Sequence, residues 1–191
     1  MTGDAQGRAA IFVDRDGTLC FDRHYLSDPD GLEFIPSVVD GLVTLTQLGL
    51  PIIIVTNQSG VGRGYFTEET LSRIHARLLS MLSENGIRIT DIFHCPHVPG
   101  TGCGCRKPAP GMMLEAAQKH GIDLSKSFVI GDRMMDVEMA HAVGARGILV
   151  PEVGDQYKVA DEIERSTEEP DFKADTFLEA ALWLTDRMPK T

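Results

Sequence analysis

At 191 residues, with 42% hydrophobic and 24% charged side chains, the chain has the composition of one folded domain with a sizeable core and not of a disordered or fibrous segment. With 28 acidic residues against 18 basic ones its formal net charge is -10, which argues against a nucleic-acid-binding surface and leaves room only for a small anion where cations converge locally. The first ten residues hold no apolar stretch of signal length and the longest aliphatic run, Leu50 to Val55, is too short for a bilayer, so a cytoplasmic protein with no membrane partner is expected.

The first element predicted is a short buried strand from Ile11, ending in Asp14-Arg-Asp16-Gly17-Thr18-Leu19. Side chains alternate along a strand, so Asp14 and Asp16 share a direction for as long as the chain stays extended, and Gly17 permits a sharp turn after them. Cys20 to Pro36 has no helical period and reads as a loop or small hairpin over the acids. Val38, Leu42, Leu45 and Leu48 recur at helical spacing up to Gly49, and a second strand follows over Pro51 to Val55. It breaks into a glycine-rich loop, Thr56 to Gly64, able to bring N–H groups close to an anion. Thr67 is placed to cap a long helix whose core stripe is Leu71, Ile74, Leu78, Met81 and Leu82. A third strand is predicted over Ile87 to His94. Next comes a helix from Pro110 to Gly121 with Leu114 and Ala117 on its inner face, then a fourth strand over Phe128 to Ile130. A helix through Val137, Ala140 and Val143, a fifth strand over Arg146 to Val150, a polar surface loop over Pro151 to Pro170 and a last helix from Phe177 to Met188, docked by Leu178, Leu182 and Trp183, complete the chain. Strand and helix alternate throughout, which predicts an α/β, Rossmann-like three-layer sandwich with a mostly parallel sheet, in a single domain over 1–191 with its core at 9–150.

In such a sheet ligands bind beyond the carboxyl ends of the strands, and the polar residues of this chain fall there: Asp14 and Asp16, Thr56 and Asn57, Arg106 and Lys107, Asp132 and Asp136. Singly, Thr56 reads as a cap, Lys107 as a solvated charge and Asp132 as a turn residue. Gathered together, the carboxylates repel by roughly 4 kcal/mol per pair at about 4 Å and an effective dielectric near 20, so they call for a cation. Aspartates without histidine favour Mg²⁺, with Lys107 and Thr56 completing a pocket for a phosphoryl group. Two acids then divide the work, Asp14 attacking phosphorus to give an aspartyl-phosphate and Asp16 moving the proton.

These residues resemble a known family. Asp14-Arg-Asp16-Gly17-Thr18, Thr56 after an aliphatic strand, Lys107-Pro108, and Gly131-Asp132 with Asp136 resemble, in order, the four motifs of the haloacid dehalogenase superfamily of phosphohydrolases. The resemblance implies Asp14 as nucleophile, Asp16 as general acid/base, Thr56 and Lys107 on the phosphoryl group, and Mg²⁺ on Asp14, the main-chain carbonyl of Asp16, and Asp132, with Asp136 as a group that orients its neighbours. Thr56-Asn57-Gln58-Ser59-Gly60, Arg63 to Thr67, and Cys105 to Met112 look like the branch that acts on D-glycero-D-manno-heptose 1,7-bisphosphate and that also contains histidinol-phosphate phosphatases. That likeness implies substrate contacts by Asn57 and Arg106 and no large cap domain. Arg133, where lysine is expected in many heptose enzymes, and the short segment from His97 to Cys103 depart from it.

Cys95, His97, Cys103 and Cys105 offer three thiolates and an imidazole, a set that suits tetrahedral Zn²⁺ with no open position; a disulfide with one free thiol is the alternative reading. The family branch implies the zinc loop. Its role is to aim Arg106 and Lys107, immediately after the last ligand, at the phosphate. The expectation is a Mg²⁺-dependent, zinc-stabilised phosphatase of a small sugar phosphate, monomeric, removing the C7 phosphate of the heptose bisphosphate. Histidinol phosphate is the alternative substrate, and a non-catalytic zinc-ordered module that binds a phosphorylated ligand is the alternative of another class.

Overall fold

The computed structural model describes residues 7–152 and 154–188. The ends of the expected 1–191 domain, and position 153, lie outside the described residues. The chain runs β1 (Ile11–Val13), α1 (Val38–Thr46), β2 (Ile52–Asn57), α2 (Ser59–Gly62), α3 (Glu68–Glu84), β3 (Asp91–Cys95), α4 (Gly111–His120), β4 (Phe128–Gly131), α5 (Met134–His141), β5 (Arg146–Leu149), α6 (Gln156–Arg165), β6 (Phe172–Lys173) and α7 (Phe177–Arg187). All strand pairs are parallel, in the order β3-β2-β1-β4-β5-β6. Alternate residues of β1 face opposite cores. Ile11 and Val13 pack with Leu42 and Leu45 of α1, Ile74 and Leu78 of α3 and Phe177 and Leu184 of α7, whereas Phe12 packs with Met113 and Ala116 of α4 and Met139 of α5. These are the three layers the alternation predicts.

The differences from expectation each have a local cause. β2 runs on through Thr56 and Asn57, which pair in register with His94 and Cys95, and the glycine-rich loop contains the single turn α2. β3 begins only at Asp91 because the preceding residues close α3: Gly86 has φ +72 and the Ile87 N–H bonds the Leu82 carbonyl, a left-handed helix exit. On α4 the inner face is Met112, Met113 and Ala116, and Leu114 is 52% exposed. Pro151 to Pro170 is not all loop. It forms α6, whose Val159 and Ile163 pack on Met134, Val137 and Leu149, and β6 begins two residues after Pro170. On α7 the buried set is Phe177, Ala180, Ala181 and Leu184; Leu182 is 50% exposed, and Trp183 stacks on Phe172 at 4.9 Å. Thr67 caps α3 as predicted, its hydroxyl accepting from the Thr70 N–H. Among the described residues no helix is long and apolar enough to cross a membrane.

Candidate active site

The sheet order reverses at β1, which has β2 on one side and β4 on the other, so the carboxyl ends of these three strands meet at the topological switch point. Asp14 directly follows β1 and its N–H bonds the Ile130 carbonyl of β4 at 3.0 Å. The chain then turns so tightly that Leu19 and Cys20 both donate to the Arg15 carbonyl at 2.9 Å. Gly17 sits in that turn at φ +82, and a Cβ there would stand 2.5 Å from Asp132 Oδ2, so the position needs glycine twice over. Thr18 Oγ1 donates to Asp132 Oδ1 at 3.1 Å, fixing the carboxylate that follows β4 against the loop that follows β1.

Asp14, Asp132 and Asp136 are all buried, and one carboxylate oxygen from each lies within 4.8 Å of the others. Buried Lys107 reaches in from its loop, Nζ donating to Asp14 Oδ1 at 2.5 Å and to Asp136 Oδ1 at 2.7 Å. Burial pushes the Asp14 carboxyl up to about 7 against the pull of Lys107, with Asp136 and Asp16 adding to the rise. Burial, then the charges of Asp14 and Asp136, likewise raise Asp132 well above the usual carboxylate range. Lys107 is held above its ordinary value by the same acids although desolvation opposes its charge. Three carboxylates against one ammonium is an uncompensated buried charge, and an all-oxygen donor set with that excess fits a hard divalent cation. Asp136 is therefore more than a neighbour of the site: its other oxygen accepts the Arg133 N–H at the start of α5, and a Cβ at Gly131 would collide with its carboxylate at 2.2 Å.

Asp16 occupies different surroundings. Extended structure ends at Val13, so the shared direction expected of the two acids is lost in the turn, and the Asp16 carboxylate stands outside the three-acid group. Arg15 grips it at both oxygens, Nε at 3.0 Å and Nη2 at 2.7 Å, and Gln58 Nε2 donates to its Oδ2 at 2.6 Å. The same Gln58 amide reaches Thr56 Oγ1 at 2.8 Å, so the buried Thr56 hydroxyl, with its oxygen already accepting, is left to donate its proton. Gln58, Arg15 and Thr18 were not singled out by the sequence reading. Gln58 lay within the quoted Thr56 to Gly60 segment, but nothing in its type or spacing signals the partner 42 residues away.

Asn57, partly exposed, touches Lys107. Its Oδ1 accepts the Lys107 N–H at 3.1 Å, and its Nδ2 lies 3.7 Å from Met135 Sδ. Arg106 Nη1 donates to the His97 carbonyl at 3.3 Å, back toward the cysteine loop. In that loop the S···S separations are 3.2 Å for Cys95 to Cys105 and 3.7 Å for Cys95 to Cys103, and His97 Nδ1 is 3.2 Å from Cys105 and 3.5 Å from Cys95. No two of the four cysteines are bonded, the S···S separations being longer than the about 2.05 Å of a disulfide. A tetrahedron with arms of about 2.3 Å has edges of about 3.8 Å, so these spacings suit one closed tetrahedral ion. His94 stays out of the cluster, with Nε2 3.0 Å from Glu68 Oε2. The loop is sewn to its neighbours by Gln58 N–H to the Cys95 carbonyl at 2.7 Å and Gly111 N–H to the Gly104 carbonyl at 2.9 Å.

Comparison with known proteins follows the same lines. Residues 104–180 match the family model described as HAD-hydrolase-like. The D-glycero-beta-D-manno-heptose-1,7-bisphosphate 7-phosphatase of Rhodopseudomonas palustris is 41% identical over 154 residues, 77% of this chain and 86% of that protein. The protein of that name from Escherichia coli is 37% identical over 72% of this chain and 76% of its own length. Among solved structures, the D,D-heptose 1,7-bisphosphate phosphatase of B. bronchiseptica, complexed with magnesium and phosphate, superposes with a TM-score of 0.83 at 30% identity, covering 94% of this chain and 99% of that one. With a shared sheet, a shared length and this level of identity, the chain belongs to the HAD-like hydrolases, in the family of the heptose-bisphosphate phosphatases.

Proposed function

We propose that this chain is a phosphomonoester hydrolase that removes the C7 phosphate of D-glycero-D-manno-heptose 1,7-bisphosphate, working as a cytoplasmic monomer with Mg²⁺ and a structural Zn²⁺. The observation that carries the chemistry is the separation of the two acids: Asp14 among Asp132, Asp136 and Lys107, and Asp16 apart from them on Arg15 and Gln58. The relatives' names carry the substrate.

A carboxylate oxygen of Asp14 attacks phosphorus in line with the ester oxygen, forming the aspartyl-phosphate as the P–O ester bond breaks. Asp16 gives its proton to the departing alkoxide, a poor leaving group without one, and then takes a proton from the water that attacks the aspartyl-phosphate and releases Asp14. Lys107 Nζ, already between Asp14 and Asp136, and the free proton of Thr56 Oγ1 hold phosphoryl oxygens, while Asp136 orients the ammonium. Asp14, Asp132 and the main-chain carbonyl of Asp16 would hold Mg²⁺, which would supply the charge that keeps Asp14 ionised and offsets the phosphoryl oxygens. Arg106 binds the far side of the substrate. Asn57, partly exposed, holds the Lys107 loop and also contacts the substrate. Cys95, His97, Cys103 and Cys105 would hold Zn²⁺ with no open position, so that the metal would brace the loop and would activate no water.

Turnover of a panel of small phosphomonoesters with Mg²⁺ tests the reading. At least a tenfold preference for the heptose bisphosphate over histidinol phosphate is expected, about 1.4 kcal/mol of differential transition-state binding. Binding of phosphate esters without turnover overturns it.

A further inference from the structure

Arg15 is 1% exposed, and with Nε and Nη2 spent on Asp16 its Nη1 is buried with no hydrogen-bond partner among the described residues. His75 Nε2, on the α3 side of the same core, is buried and without a partner as well. Ile11 and Val13 pack with Ile74 and Leu78 of α3, Arg15 in the turn that follows β1 lies close enough for its charge to act on His75, and the ring of His75 meets that of His94 edge-on at 5.7 Å. Thr56 lies beside His94 in register, and Gln58 joins Thr56 to Asp16.

The two orphaned atoms are chemically complementary. A guanidinium nitrogen only donates, whereas a neutral imidazole has one nitrogen that accepts. Burial first and the Arg15 charge second hold the His75 imidazole down at about 3, so it is neutral at ordinary pH. Buried polar atoms in native proteins are almost always paired, and a single enclosed water is the usual bridge.

We propose that His75 is a positioning residue for the proton-transfer step: through one buried water its neutral Nε2 accepts the remaining Nη1 proton of Arg15, fixing the guanidinium that holds Asp16. The inference rests on the assignment of Asp16 as proton carrier made above. It concerns how that carboxylate is kept in place, since His75 itself touches neither substrate nor the reacting atoms.

The test is kcat and KM of the full chain with Mg²⁺ and the heptose bisphosphate, for wild type, His75→Leu and His75→Gln. For His75→Leu, kcat is expected to fall about tenfold with KM changed by less than about twofold, the signature of an interaction that matters after the substrate is bound. His75→Gln, whose side-chain oxygen still accepts, is expected to recover most of the loss. A leucine variant with wild-type kcat, a glutamine variant as slow as the leucine one, or a change in KM alone overturns the role of His75. Inactivity of the wild type would instead retire the phosphatase reading, so the two failures are distinct. A crystal structure of the wild type that resolves buried water decides the matter even if the leucine variant does not fold: a water bonded to both Arg15 Nη1 and His75 Nε2 supports the proposal, and its absence overturns it.

Discussion

Asn57 Oδ1 accepts the main-chain N–H of Lys107 at 3.1 Å, 50 residues away in sequence, so an amide at the end of β2 sets the height at which the lysine enters the acid cluster. Lys107 Nζ is a shared donor to Asp14 and Asp136, and shifting its backbone moves both contacts at once. Asn57→Ala is expected to lower kcat/KM by roughly tenfold to a hundredfold, in the range of one lost orienting hydrogen bond to a charged group's support, while Asn57→Asp, which still accepts, loses less. Steady-state kinetics of the two variants checks the order.

Asp14→Asn is expected to remove nearly all turnover while leaving the melting temperature close to that of wild type or above it. Replacing one of three crowded, buried carboxylates relieves repulsion that burial makes expensive, even as the Lys107 ion pair is lost. Retained turnover contradicts the nucleophile assignment.

Asp16→Asn has a different signature. An aryl phosphate leaves as a stabilised phenolate and needs little proton donation, whereas a sugar phosphate leaves as an alkoxide. Single-turnover rates of phosphoenzyme formation are expected to fall far more for the sugar phosphate than for p-nitrophenyl phosphate. Equal losses on both would remove Asp16 from the role of acid.

Zinc removal by a strong chelator is expected to lower thermal stability and activity together, and added Mg²⁺ alone is not expected to restore either. The four candidate ligands lie within a segment of eleven residues, Cys95 to Cys105, that ends immediately before Arg106 and Lys107, so loosening it is expected to displace the two cations proposed to meet the substrate. Cys105→Ser is expected to reproduce the chelator effect, with metal content measured in parallel.

The His141 imidazole gives a pH dependence with a definite sign. Burial disfavours its charge, but hydrogen bonds to Asp171 and Glu168, at 3.0 and 2.7 Å, outweigh that and raise its pKa above 6.5. The folded state therefore holds the proton more tightly than the unfolded one, and this stabilisation is complete below the unfolded value and lost as pH rises through the folded one. The pair is partly solvent-exposed, so the change is at most about 1 kcal/mol. Urea midpoints of wild type and His141→Asn, compared across that range, should converge on the alkaline side.

Much of this was legible in the amino-acid order because it depends on local rules. Alternation of short aliphatic runs with 3.6-residue stripes implies a parallel sheet, and the right-handed crossovers of such a sheet bring every loop that follows a strand to one edge. Asp14, Thr56, Lys107 and Asp132 could thus be gathered without coordinates, and so could the four metal-ligand candidates, which are close in sequence. Helix α6 was hidden because only Val159 and Ile163 carry its apolar face, too few to mark a period in an acidic stretch; its burial depends on Met134 and Leu149 being there to receive them. The partners of the two acids were hidden for a related reason. Whether a carboxylate near Gly17 joins the lysine or the arginine depends on where a tight turn points it, and on Gln58 and Lys107 arriving from the segments that follow β2 and β3. By itself the sequence determined which groups reach the carboxyl edge of the sheet. Only the tertiary structure decided that Asp14 lies among buried charges while Asp16 is held apart from them, because hydrogen bonding and desolvation act over a few ångströms between residues far apart in the chain.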